Sequence, residues 1–453
     1  MTKNLLFIAH RVPYPPDKGE KIRAFHQIRH LAGKGWKVHL VALADRPEDA
    51  ESWGALKRWC ASVFCEVVDA RYQKFRCLAA PFLRRPLSVP YFHRRVLQRR
   101  VDQILEQRPI RAVFCYSGAT AEYVFRSKIL RLSERLGGPV AGRPQRRSTR
   151  VGPPGQPPSL PAFQPFSDEP RSPRLVMDLV DVDSDKWAQY ARWNPWPWKV
   201  VYRLESILLS RYELAVARAF DVVTLVSPAE AELFRGRVGP EARVEALANG
   251  VDLEYFRPGA VAEGDAEAAL GGSEIAFCGA MDYYPNVDAV VWFANRVLPL
   301  VRGEVSDARF VIVGSSPAPA VQELAKLPGV EVTGRVEDVR PFVAGAQVSV
   351  APIRIARGVQ NKVLEAMAMG KPVVASPQAH EGIDASPGVH LRVCELRPEG
   401  FANEVVALLR DPELRFELGR RARERVEEVY RWDRCLEPLE VLLTGNSPRE
   451  TRA

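Results

Sequence analysis

Residues 347–376 read QVSVAPIRIARGVQNKVLEAMAMGKPVVAS, a buried-type strand, a glycine-bearing loop, a helix and a second buried-type strand. Val348, Val350 and Ile353 in the first strand and Val373 and Val374 in the second are β-branched, as in parallel strands covered on both faces. Parallel neighbours need a crossover, and the helix between them supplies it. Gly358 ends the loop. Gly370 stands where a helix C-terminus favours positive φ, and Lys371 and Pro372 follow, so the helix spans about Gln360 to Met369.

The N-terminus of such a helix lies at the carboxyl ends of the strands, where open α/β sheets bind ligands, and its N–H groups and dipole suit a phosphate. Lys362 adds a full positive charge there. Glu365 follows among Val363, Leu364, Ala366 and Met367, where an acid costs stability unless it accepts hydrogen bonds. A ligand's sugar hydroxyls would serve, and a helix cap or an ion pair with a nearby arginine is the plainer alternative.

The same alternation fills the chain. Strands are expected near 5–9, 38–44, 63–68, 112–116, 174–180 and 222–226, then at 274–279, 309–313, 330–333, 348–352, 372–375 and 389–394. With 453 residues, 46% of them hydrophobic, two doubly wound domains are affordable. The first covers 1–245 and the second 246–430, with a terminal helix and tail over 431–453. Residues 137–173, dominated by Pro, Gly, Arg and Ser, are expected to be a disordered surface insertion. Neither half carries the Gly-x-Gly-x-x-Gly fingerprint after its first strand, which argues against a dinucleotide oxidoreductase.

LEAMAMGKPVVAS at 364–376 resembles the signature of glycosyltransferase family 4, retaining enzymes of the GT-B fold that use a nucleotide-activated sugar. ANGVDLEYFRP at 248–258 is similar to the family's strand and turn entering the nucleotide-binding domain, with a tight turn at Asn249-Gly250. The opening strand, glycine loop, helix and second strand match as well, so the likeness covers nearly the whole chain. MDLVDVDSDKWAQYA at 177–191 and CGAMDYYPNVDAVVWF at 278–293 look like the exosortase-associated (PEP-CTERM system) sugar transferases, tied to exopolysaccharide assembly. The resemblance implies two Rossmann-like domains facing a cleft, with the C-terminal helix crossing back to the first domain near Trp432.

It also implies roles. Glu365 would hold the donor ribose, and the backbone of Gly358, Val359 and Gln360 would grip the diphosphate. Gly334 and Arg335 would face the base, with Gly314 at the same sheet edge, and Lys18-Gly19 would form the glycine loop across the cleft. The chain departs from the family twice. The loop from Gly279 to Asn286 lacks the customary Arg and Lys, and Arg357 replaces the acid eight residues before Glu365. Arg354, Arg357 and Lys362 are candidates to restore the charge, because guanidinium grips phosphate through two hydrogen bonds. Of the acids Asp178, Asp181, Asp183 and Asp185, the candidates for the cleft are Asp181 and Asp183. The four could instead bind a divalent metal, but the resemblance implies no metal and no cofactor beyond the donor.

Seven scattered cysteines without Cys-x-x-Cys point to a reduced cytoplasm. No signal-type region and no apolar run near 18 residues occurs, so neither export nor membrane spanning is expected. The net charge of +9 invites a nucleic-acid reading, yet no nucleic-acid-binding module pattern is present. From Arg71 to Arg100 nine basic residues occur without an acid, interleaved with aromatic side chains, a surface suited to anionic lipid or simply a solvated helix face. Trp187, Trp193, Trp196 and Trp198 crowd the stretch before a helix expected from about 200 to 219, as packing at the cleft or as an interfacial anchor. The expected partners are a nucleotide sugar and a glycolipid or oligosaccharide acceptor. The expected location is the cytoplasm, peripheral on the inner face of the plasma membrane. A catalytically silent sugar-nucleotide-binding scaffold and a nucleotide-sugar epimerase remain alternatives.

Overall fold

The computed structural model describes residues 3–16, 19–44, 53–68, 85–130, 172–259, 272–356 and 358–445. Lys18, Arg357, nearly all of the 137–173 segment and the basic residues up to Arg84 lie outside them. The first sheet holds β1 (Asn4–Ala9), β2 (Lys37–Ala44), β3 (Cys60–Val67), β4 (Ala112–Tyr116), β5 (Arg174–Val180), β6 (Val222–Leu225) and β7 (Val244–Ala246), in the order β3-β2-β1-β4-β5-β6-β7. The second holds β8 (Glu274–Cys278), β9 (Arg309–Val313), β10 (Val330–Gly334), β11 (Val348–Ala351), β12 (Val373–Ala375) and β13 (Arg392–Val393), in the order β10-β9-β8-β11-β12-β13. Every pairing is parallel. Strand order reverses between β1 and β4 and again between β8 and β11, which opens a crevice at the carboxyl edge of each sheet.

The helices that build the site are α1 (Gly19–Gly33), α2 (Asp183–Trp193), α3 (Trp198–Ala219), α4 (Pro228–Val238), α5 (Tyr284–Trp292), α6 (Asn361–Ala368), α7 (Pro412–Val429) and α8 (Glu437–Thr444). The expected strands are found, and the helix expected at 360–369 is α6 with Gln360 and Met369 as its caps. Three differences have local causes. β7 escapes a periodicity search because it is three residues long and interrupted by Glu245. The strand expected at 389–394 shrinks to Arg392–Val393, because Gly388 to His390 form a turn whose Val389 and His390 N–H groups donate to the Ser386 carbonyl. The last helix divides into Trp432–Cys435 and α8, where Pro438 suits the first turn of a new helix but cannot continue an old one.

The tail crosses back as expected. Leu436, Leu439, Leu442 and Leu443 are buried with Leu5, Phe7, Val38 and Leu40 on one face of the first sheet, and each contributes about 1.5–3 kcal/mol of burial. Lys3 pairs with Glu440 at 2.5 Å, and Arg174 Nε donates to the Leu442 carbonyl at 2.7 Å. Trp432 stacks on His26 of α1 at 4.4 Å and 7°. A Cβ on Gly250 would stand 2.7 Å from the Trp432 ring and 2.8 Å from its Cα. Gly250 therefore serves close packing of the crossing tail rather than the tight turn expected at Asn249-Gly250, since no turn forms there and its φ is not left-handed.

Candidate active site between the two sheets

α6 begins beside the switch point of the second sheet, directly after β11. No side chain of its N-cap residue Gln360 bonds back to the first turn. Lys362 and Glu365 stand one turn apart on the face nearest β8. Lys362 Nζ donates to Asn286 Oδ1 at 2.6 Å and lies 4.9 Å from the centre of the Phe277 ring. Burial pulls its ammonium down to about 8, with Glu365 pulling the other way. Burial pushes the Glu365 carboxyl up to about 7, and Lys362 only partly offsets it. Glu365 accepts no side-chain hydrogen bond from the described residues, so neither an arginine nor its own helix satisfies it. Cys278, against Glu365, is a neutral thiol pushed by burial to about 12.

The turns after β8, β9 and β10 form a glycine ladder. Gly279 N–H donates to Val313 at 3.0 Å and Gly314 N–H to Gly334 at 3.2 Å. A Cβ on Gly314 would sit 1.7 Å from the Gly279 carbonyl oxygen, and one on Gly279 would sit 2.7 Å from Asn286 Nδ2. These glycines let the loops close over the strand ends. Gly334 is left-handed with φ +70, and Arg335 beside it is exposed. Arg354 clasps Asp288 of α5 with both nitrogens of its fork, one bond measuring 2.6 Å, so its charge is already matched.

The first domain supplies the opposite wall. Val180, the last residue of β5, has φ +71, a strained conformation for a β-branched residue, and the β5–β6 register shifts there. Asp181 follows it. Its Oδ1 is buried and has no hydrogen-bond partner among the described residues, and burial lifts its carboxyl to about 7, with Asp183 and Glu230 adding to the rise and Lys186 and Arg23 opposing it. A Cβ on Gly358, φ +66, would stand 2.1 Å from Asp181 Oδ1 and 2.9 Å from Val226 Cγ1. The loop before α6 thus abuts Asp181 only because residue 358 has no side chain. Gly19, at the start of α1, faces Asn361 Nδ2 across the same gap at 3.2 Å from an ideal Cβ.

The four acids therefore divide. Asp181 faces the second domain, whereas Asp183 is clasped by Lys186. Asp185 pairs with Arg237 at 2.8 Å. Asp178, fully buried, takes two bonds from Arg23 at 2.8 and 3.1 Å and one from Gln27 at 2.6 Å. Arg23 also donates to Asn249 at 2.8 Å, and Asn249 donates to Asn361 at 3.3 Å. A continuous polar chain thus runs from α1 through the interdomain linker to the first residue of α6. Burial would lower Lys186, but Asp183, Tyr283 and Asp181 hold it raised, and Tyr283 belongs to the other domain.

Three residues that sequence reasoning missed meet beside the switch point of the first sheet, His10 and Arg11 directly after β1 and Glu20 in the first turn of α1. His10 Nε2 stands 3.1 Å from Glu20 Oε2, and Arg11 pairs with the same carboxylate. Burial would raise Glu20, but His10 and Arg11 hold it well below the usual range. Their signal was HRV directly after the first strand, beside the switch point. Asn286, which steers Lys362, carried no sequence signal beyond its place in the loop.

Residues 272–411 match the glycosyl transferases group 1 family. The match covers the domain that carries Glu365 and Lys362. A GDP-mannose-dependent alpha-(1-6)-phosphatidylinositol monomannoside mannosyltransferase of Mycobacterium tuberculosis is 31% identical over 244 residues, 50% of this chain, and the chain spans 62% of that relative's length. Among solved structures, sucrose-phosphate synthase of Thermosynechococcus elongatus has a TM-score of 0.67 at 16% identity, covering 97% of this chain and 98% of its own. HepE of Anabaena, solved with UDP and glucose, has a TM-score of 0.63 at 13% identity, covering 98% and 100%. WaaG, a glycosyltransferase involved in lipopolysaccharide biosynthesis, has a TM-score of 0.61 at 14% identity, also covering 98% and 100%. At these identities the likeness establishes the fold, two facing parallel-sheet domains of GT-B type. Among the described residues no helix is long and apolar enough to cross a membrane, and no group of three or more His, Cys, Asp or Glu side chains could hold a metal ion.

Proposed function

We propose that this chain is a retaining glycosyltransferase of family 4 that moves a sugar from a nucleotide-sugar donor to a growing, lipid-linked exopolysaccharide precursor. One observation carries the reading: Glu365, half-buried and without a hydrogen-bond donor among the described residues, sits one turn from Lys362 at the start of a helix that faces Asp181, whose buried Oδ1 is likewise unpartnered among them. A ribose presents two hydroxyl donors to such a carboxylate, and the bonds would draw its pKa back down. The diphosphate lies at the α6 N-terminus, against the backbone of Gly358, Val359 and Gln360 and the Lys362 ammonium. Arg357, on the same loop in sequence, adds the second cation.

In the transfer the bond from the anomeric carbon to the phosphate oxygen breaks, and the departing diphosphate keeps the electron pair. The acceptor hydroxyl forms the new bond on the same face and passes its proton to the departing phosphate oxygen. Charge thus grows on the diphosphate, where Lys362 and the helix dipole already point, and positive charge grows at the anomeric carbon, where an ionised Asp181 stabilises it. Asp183 holds Lys186 in place beside it. The reaction draws on no metal and no cofactor. The relative's glycolipid substrate supports a lipid-linked acceptor, and the 177–191 and 278–293 segments support the exopolysaccharide setting. The cytoplasmic face of the membrane is where such an acceptor meets a nucleotide sugar.

Thermal-shift titration with UDP-, GDP-, ADP- and TDP-sugars tests the reading, since a ligand that binds the native state raises its stability. A shift selective for one nucleotide and absent in Glu365→Ala is the expected result. No shift with any donor would overturn it, and turnover of the donor sugar without an acceptor would replace it with an epimerase.

A further inference from the structure

We propose that the elbow between α2 and α3 and the outer face of α3 dock on an anionic lipid bilayer. Trp196 is 80% exposed, and Trp198, Val200, Leu204 and Ile207 are 42–57% exposed. Val200, Leu204, Ile207 and Arg211 recur at four, three and four residues, one stripe along the outside of α3. Isolated exposed apolar side chains are ordinary, but a continuous stripe ending in two tryptophans is a contact surface.

The charges beside the stripe select its occupant. Arg192, Lys199, Arg203 and Arg211 are exposed, and none of them pairs with an acid among the described residues. The only acid from 192 to 211 is Glu205, which points inward, 2% exposed, and accepts the N–H groups of Leu87 and Ser88 at 2.7 and 3.2 Å. Among the described residues the face is therefore apolar and cationic, with no unmatched anion. A second copy of the chain would set like charges against each other, whereas an anionic bilayer takes both features at once. Beside Ile207 the surface dips into an open groove lined by Ser206, Ser210 and Arg211, with Asp185 there already matched by Arg237. A lipid phosphate finds an unpaired guanidinium and two hydroxyls in it.

The elbow adjoins the cleft. Trp198 stacks on Tyr202 at 6.1 Å, Tyr202 meets Trp187 at 5.4 Å, and Tyr190 meets Tyr284, the first residue of α5, at 6.3 Å. Docking here sets a bilayer beside the cleft mouth. The docking stands on the exposed residues alone, while the delivery of a lipid-linked acceptor rests on the transferase reading.

Co-flotation of the full chain with vesicles of phosphatidylcholine, with and without phosphatidylglycerol, tests this. Binding is expected on the anionic vesicles and is expected to weaken with salt. At about fivefold per basic residue near the surface, Arg203→Ser with Arg211→Ser lowers partitioning by roughly 30-fold. Leu204→Glu with Ile207→Glu abolishes flotation while the melting temperature and the nucleotide-induced thermal shift stay those of the wild type. Equal flotation on both vesicle types, or flotation unchanged in the Glu variant, would overturn the proposal. So would self-association of the wild type by velocity sedimentation that the Glu variant loses. A chain that floats but transfers no sugar keeps the docking and refutes the transferase reading, and transfer without flotation does the reverse.

Discussion

Replacing Glu365 by Gln should move stability and donor affinity in opposite directions. The carboxyl titrates from 4.5 to about 7 on folding because burial disfavours the anion. An acid raised in this way binds more protons in the native state between those values, so stability falls as pH rises from about 4.5 to 7 and the loss is complete above 7. At about 1.4 kcal/mol per unit the cost is at most about 3–4 kcal/mol. Partial exposure and the loss of its help to Lys362 reduce the expected gain from Gln to about 1–2 kcal/mol, or roughly 2–8 °C in melting temperature. Glu365→Gln should therefore melt higher than wild type at pH 8 and equal to it at pH 4. Donor binding should weaken, because a hydrogen bond to a charged acceptor is worth about 1.5–3 kcal/mol, a loss of roughly 10- to 150-fold by calorimetric titration. A Gln variant that melts lower at pH 8, or binds donor as tightly as wild type, would refute the reasoning.

Gly358→Ala meets both a left-handed φ and the Asp181 carboxylate, so turnover should fall at least about tenfold with a lowered melting temperature, read by steady-state kinetics and a thermal melt. Lys362 loses its proton as pH rises through about 8, so affinity for the donor should decline there, and Lys362→Arg should flatten that decline in a pH series of titrations. Leu439→Ala in the crossing helix should cost about 2–5 kcal/mol, measured by chemical denaturation, because its cavity opens in the core of the first domain.

The fold was legible because buried parallel strands read as short β-branched runs and each crossover helix ended in a recognisable stop. The placement of Glu365, Lys362 and Gly358 at a helix start beside a switch point was legible for the same local reason. What sequence could not show was decided by partners far along the chain. Asp178 and Asp181 look alike in DLVDVD, but Arg23, 155 residues before Asp178, neutralises one and leaves the other to the cleft. Arg354 looked free to meet phosphate until Asp288, 66 residues away, engaged its fork. Gly250 looked like a turn residue, and only the returning Trp432 reveals why a side chain is excluded there.

Hydrogen–deuterium exchange on the full chain, with and without the nucleotide sugar that gives the largest thermal shift, tests the central claim most directly. The account predicts slowed exchange in residues 279–286 and 358–365, with β3 and α8 unchanged. Protection confined to other segments, under a donor that raises the melting temperature, would place the donor elsewhere and contradict it.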